Sequence, residues 1–364
     1  MKRILCTILC LVIGVAVAGL AHAESVATMS DPAQLVAILK SSESSDFDKA
    51  VACKRLAVVG TADAVPVLAE MLLDAKFSHY ARYALEPIPS ATVDEALREA
   101  LSKAEGQVRL GILNSIGVRR DTKAVAMIAP LLNHDDAAVV DAAASALGRI
   151  ANAESANILK QALQSEKAST RHAAGDALLI CAEILAKEGQ RELATELFDA
   201  VRGANVTKPI RLAAMRGAVL IRGDSGVNLL KELLGSEEND IFGLGLRLAR
   251  DLKSPAVAEE MIKCYSTASV DRQAQIIATL ADMGVEQARP IIQKAMVGTS
   301  QPLQLAALRA IAKCGSSGDI PALLQIAKST DSLAANEAKH ALASLEGQGV
   351  AEALTESLKL SLIH

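Results

Sequence analysis

One phrase of about 30 residues recurs along this chain. A polar residue, an alanine-rich apolar run, a short break with Gly or Asp and a second apolar run fill residues 136–164, and the same order returns over 269–297, 301–328 and 331–359. Gly117 and Gly148 stand 31 apart, as do Gly284 and Gly315, and Gly347 follows 32 residues later. Inside each run the apolar residues fall at i, i+3, i+4 and i+7, as in Val139, Ala142, Ala143, Ala146, Leu147 and Ile150, which is the spacing of one helical face. Two helices per period of about 30 mark an α-solenoid, where each unit buries its apolar face only against its neighbours. The predicted fold is therefore all-α: a right-handed α-α superhelix of about ten helical hairpins running from about Asp31 to Leu360, with no sheet.

A strand-based fold needs β-branched and aromatic residues in alternation. This chain has four Phe, three Tyr and no Trp, which leaves packing to Ala, Leu, Ile and Val. The second helix of each pair is expected on the inner wall, from 46–59 through 77–85, 207–221 and 240–252 to 331–345. Asp136, Ser169, Thr207, Asp240, Ser269 and Asp331 stand where N-caps belong, and Pro32, Pro66, Pro130, Pro255, Pro290 and Pro321 fall early in outer helices. The unit from Ser169 to Val206 is longer than the rest.

Residues 1–23 read as a cleaved export signal. Lys2 and Arg3 open it, Ile4 to Leu20 form its apolar stretch, and Ala21-His22-Ala23 is an A-x-A cleavage site. Residues 24–364 then form a single repeat solenoid, exported to the periplasm or secreted and without a permanent membrane anchor. The chain has 38 basic and 42 acidic residues, so losing Lys2 and Arg3 moves its net charge from −4 to −6. An acidic, exported chain lacks the cationic excess that nucleic-acid binding requires. Of six cysteines, Cys53, Cys181, Cys264 and Cys314 remain, scattered where a small apolar residue is wanted.

The phrase V-R-x-x-A-A-x-A-L-G underlies Val108-Arg109-Leu110, Thr170-Arg171-His172-Ala173-Ala174, Ile210-Arg211-Leu212-Ala213-Ala214 and Val139-Val140-Asp141-Ala142-Ala143. On these residues the chain resembles the HEAT-repeat family over about residues 31–360. The stretch Ser78-His79-Tyr80-Ala81-Arg82-Tyr83-Ala84-Leu85-Glu86-Pro87-Ile88-Pro89 resembles a phrase of secreted bacterial HEAT-repeat proteins. The resemblance specifies a fold and says almost nothing of function.

Two stretches are candidates for binding a partner. Phe77, Tyr80 and Tyr83 are three of the seven aromatics, with His79 and Arg82 between them and Pro87 and Pro89 ending the helix. That composition suits an interface hot spot, or else fills an irregular repeat. Arg211, Arg216, Arg247 and Arg250, with Lys208, Arg222 and Lys253, would form a basic stripe on stacked inner helices. Their alternative use is to tie repeats together and cover apolar surface with their stems.

The sequence has no His-Glu-x-x-His, no phosphate-binding glycine loop, no Gly-x-Ser-x-Gly and no Cys-x-x-Cys-His. The expectation is a non-catalytic scaffold that uses no cofactor and holds a protein partner on its concave face. Two alternatives stand beside it. One is a HEAT-repeat accessory or lyase-like protein, by resemblance to the lyases that attach bilin chromophores. The other is groove capture of an anionic ligand or glycan.

Overall fold

A computed structural model describes residues 26–347 and 349–363. The expected export signal and the expected mature start at Glu24 lie outside the described residues. Every regular element among the described residues is helical, and no strand occurs there, as the 3.6-residue period requires.

The helices are α1 (Pro32–Lys40), α2 (Asp46–Val59), α3 (Val65–Glu70), α4 (Ser78–Leu85), α5 (Ala91–Lys103), α6 (Gly106–Arg119), α7 (Val125–Ile128), α8 (Ala137–Ile150), α9 (Ala153–Ala162), α10 (Ala168–Lys187) and α11 (Arg191–Arg202). They continue as α12 (Lys208–Arg222), α13 (Val227–Gly235), α14 (Asn239–Leu252), α15 (Pro255–Tyr265), α16 (Val270–Asp282), α17 (Arg289–Met296), α18 (Gln301–Cys314), α19 (Ile320–Ala327), α20 (Ser332–Ser344) and α21 (Val350–Ile363). They group into two compact units, one ending at Arg211 and one beginning at Leu212, inside the first turn of α12.

In the first unit α2, α4, α6, α8 and α10 form a row in which each packs on the next, with the shorter helices of each hairpin behind. These are the helices expected on the inner wall. Small residues set their spacing: a side-chain carbon on Gly148 would stand 2.5 Å from the Ala177 carbonyl oxygen, and one on Gly117 would stand 2.9 Å from Ala146 Cα. In the second unit α14, α16, α18 and α20 form the equivalent row. One continuous apolar cluster, with Phe242, Leu248, Ile276, Ile277, Leu280, Leu308 and Ile311 at its centre, runs through that unit.

Capping departs from expectation in part. Asp136 accepts from the Ala138 N–H, and Asp331 from those of Leu333 and Ala334. Ser269 holds the N-cap position of α16 without a side-chain bond, while α10 and α14 start earlier, behind Lys167 and Glu238. Burial of Thr170 and Ile241 in the first turn of each helix outweighs the local polar residue there. Several outer helices open with a single 3₁₀ turn, at Ala62–Ala64, Thr122–Ala124, Glu286–Ala288 and Ser317–Asp319, ahead of α3, α7, α17 and α19. In α3, α17 and α19 a proline follows in the first turn, where its missing N–H costs nothing. The longer unit is a 20-residue α10 paired with α11.

Candidate functional site

The aromatic segment is built from both directions along the row. Pro87 and Pro89 cannot continue α4, so the carbonyls of residues 85–90 need partners from elsewhere. Arg119, at the end of α6, supplies them. Its Nη1 donates to the carbonyls of Glu86 and Ile88, each at 2.8 Å, and its Nη2 donates to that of Ser90 at 3.1 Å and to Asp94 Oδ2 at 3.2 Å. One guanidinium fork therefore holds a complete turn of the preceding repeat.

Arg82 is used in a similar way. Its guanidinium lies over Gly111, where any added side-chain carbon would come within 2.5 Å of it, and Nη1 donates to the Gly111 carbonyl at 3.0 Å and to Ser115 Oγ at 3.2 Å. The Ser115 hydroxyl, fully buried, donates onward to Glu86 Oε1 at 2.7 Å. Burial holds the Arg82 guanidinium below its ordinary pKa, and the Glu86 carboxylate opposes that effect. Arg82 is thus committed to the neighbouring repeat.

The aromatic residues divide between packing and solvent. Phe77 and Tyr80 are half-buried, the Tyr80 ring meets the His79 ring edge-on at 5.7 Å, and Lys54 Nζ sits 6.0 Å from its centre. His79 is exposed, and Tyr83 is 53% exposed. Of this group, His79 and Tyr83 are exposed and Tyr80 is partly so. Sequence reasoning missed Gly111, Ser115, Arg119 and Asp94. The signal was present, because each lies roughly one repeat from the residue it holds.

The basic stripe separates by unit. Arg211 is half-buried at the end of the first unit and already carries interactions. Arg216, Arg247 and Arg250 come together in the second unit, lining a cavity of about 380 Å³ with Leu212, Leu244, Leu248 and Asp251. Arg250 is engaged: Nη2 donates to Thr279 Oγ1 at 2.9 Å and Nε to Asp282 Oδ2 at 3.2 Å. Lys313 binds the same carboxylate from the other side at 2.5 Å, and these cations hold Asp282 below the usual carboxylate range, Lys313 foremost. Arg216 and Arg247 are exposed and have no hydrogen-bond or ion-pair partner among the described residues.

A larger cleft of about 640 Å³ crosses α16, α18 and α20. Ala274, Ala278, Ala281, Ala306 and Ala310 floor it, and Gln275, Arg309, Lys313, Glu337, His340 and Ser344 rim it. Arg309 is tied across the rim to Glu337 at 2.6 Å. Among the described residues no group of three His, Cys, Asp or Glu is placed to hold a metal, and no helix is long and apolar enough to cross a membrane.

A sequence profile of HEAT repeats matches residues 95–179, which run from α5 to the middle of α10. Residues 95–179 are HEAT repeats. No curated protein matches the sequence. Among solved structures, the karyopherin Kap121p bound to the extreme C-terminus of the protein phosphatase Cdc14p is similar at a TM-score of 0.50 and 12% identity, over 90% of this chain and 43% of that one. An engineered protein is similar at 20% identity and TM-score 0.36, covering 87% of this chain and 99% of it, and human deoxyhypusine hydroxylase at 17% and 0.31, covering 78% and 96%. The chain spans less than half of the karyopherin, and that likeness concerns the helical fold alone.

Proposed function

We propose that this chain is a non-catalytic scaffold, exported to the periplasm or beyond, that holds a protein partner against the inner row of its HEAT units. The observation that carries this reading is the alanine-floored cleft across α16, α18 and α20. Its apolar floor within a polar, charged rim has the anatomy of a protein interface. Small floor residues admit a partner's side chains close to the helix backbones, and a repeat array extends such a surface without a new core. Kap121p, of similar fold, is itself bound to a segment of another protein.

Ala278 is exposed on α16, where it lines the cleft, and Val297, 63% exposed, follows the outer helix α17. Arginine at either position leaves the core intact. Affinity capture from the native envelope fraction should retain a partner with the wild-type chain and with Val297→Arg. Ala278→Arg should weaken capture tenfold or more, about 1.4 kcal/mol. Equal capture by all three chains overturns the reading. Export is tested separately by N-terminal sequencing, which should start near Glu24; uncleaved chain in the cytosol refutes it.

A further inference from the structure

Arg216, Arg247, Ala278, Arg309 and His340 follow one another at 31-residue intervals, and each is exposed. They mark one register position on five successive inner helices, α12, α14, α16, α18 and α20. The charges along this line differ in their commitments. Arg309 is held by Glu337, and beside the line Lys313 and Arg250 share Asp282. Arg216 and Arg247 stand over Leu212, Leu244 and Leu248, and no ion pair among the described residues joins them to Asp251 on the same rim. The line therefore has two unclaimed guanidinium groups, one helix apart, leading to an alanine-floored cleft at Ala278.

Packed helix axes lie about 8–10 Å apart. An extended chain advances about 3.3 Å per residue, so about three residues carry it from one inner helix to the next. Each planar guanidinium presents a fork of donors that matches a carboxylate. We propose that Arg216 and Arg247 receive two carboxylates about three residues apart on an extended acidic segment of the partner, and that an apolar side chain three residues further lies over Ala278. This rests on the scaffold reading above and adds the chemistry of the partner: acid, two residues, acid, two residues, apolar.

The test uses the full chain and two fluorescein-labelled peptides on a Gly/Ser background. One carries Asp at i and i+3 with Leu at i+6, and the other has the same composition with adjacent Asp residues. Fluorescence anisotropy should show the spaced peptide binding at least tenfold tighter than the adjacent one, and more weakly as salt rises. The Arg216→Ala/Arg247→Ala double variant should lose tenfold or more. Lys294→Ala, at an exposed position on the outer helix α17, should leave binding unchanged. Circular dichroism confirms that each variant is folded.

Equal binding of the two peptides, or full binding by the double variant, overturns the proposal. So does displacement of the spaced peptide by a sulfated polysaccharide that binds more tightly than either peptide, which would make the arginine pair a glycan site. If Ala278→Arg abolishes partner capture and the double variant does not, the scaffold reading stands and the carboxylate assignment falls. If neither change affects capture, both fall.

Discussion

Arg119 shows how much one side chain does in this molecule. It bonds three carbonyls of the turn after α4 and the carboxylate of Asp94, and its side chain is only 11% exposed. Arg119→Ala would leave those acceptors and Asp94 without their donor. The expected cost is about 2–4 kcal/mol, read by chemical denaturation. Arg119→Lys keeps the charge but not the fork and should recover less than half of the loss. Tyr83→Ala, at a side chain that is 53% exposed, should cost about 0.5 kcal/mol or less. The cysteines give a second test. Burial pushes the Cys53 and Cys181 thiols up to about 12, so the reactive thiolate is scarce at neutral pH. Both should resist alkylation in the folded chain and react once denaturant unfolds it; rapid labelling at pH 7.5 would contradict their burial. At this scale the sequence was hardest to read. The aromatic cluster at Phe77–Pro89 was visible as a break in composition, but which of its residues faced solvent depended on Arg119 and Gly111, one repeat away. Arg82, expected at an interface, instead covers Gly111, a role that composition does not distinguish from binding.

At the scale of elements, closeness between neighbouring helices determines what a glycine does. An alanine methyl at Gly148 would meet the Ala177 backbone at 2.5 Å, so α8 and α10 must separate to admit it. Gly148→Ala should therefore destabilise by about 1–3 kcal/mol, despite the better helix propensity of alanine. Gly243, in the interior of α14, has its nearest obstacle, the end of the Arg247 side chain, at 3.7 Å. Gly243→Ala should stabilise by about 0.5–1 kcal/mol. Thermal melts of the two variants should move in opposite directions, and equal signs would mean that spacing in the row is not set by backbone contact. The inner helices were legible because their apolar period is long and strict. Their starting points were less so. Lys167 and Glu238 occupy cap positions that composition assigns to Ser169 and Asp240, because packing of Thr170 and Ile241 decides where the chain turns inward. The 3₁₀ turns before outer helices were invisible to a periodicity of 3.6, since three residues complete no period.

Within each compact unit, polar ties connect neighbouring repeats. Asp282 joins α14 to α18 through Arg250 and Lys313, Asp331 accepts from Gln301, and Arg289 binds Asp319. Lys313 and Arg250 lower the pKa of Asp282, Gln301 and the α20 backbone lower that of Asp331, and Arg120 lowers that of Glu188. A carboxyl with a depressed folded pKa adds stability above its unfolded value, near 4, and loses it as pH falls through the folded value. Asp176, raised by burial and by Asp141, runs the other way. The melting temperature should therefore hold from pH 7 to about 5 and fall below about 4. Asp282→Asn should lower it at pH 7, by about 0.5 kcal/mol in free energy after solvent screening, and should flatten the acid limb. An unchanged acid limb in that variant would show that Asp282 does not carry the effect. The repeat architecture itself was readable throughout, because a period near 30 leaves few alternatives. The number of compact units was not, since the boundary at Arg211 falls inside a helix with no break in composition.

The 20-residue α10 ends where Glu188 meets Arg120, a pair 68 positions apart in the chain, whereas the Arg119, Arg250 and Arg289 ties reach about one repeat. That pair fixes phase as well as distance. Losing one residue within α10 would turn everything beyond it by about 100° and draw it back by about 1.5 Å, taking Glu188 away from the guanidinium. Elsewhere a turn between helices can lengthen or shorten and disturb only its immediate neighbours. Over evolutionary time, insertions and deletions should collect in those turns, while the length of α10 stays constant.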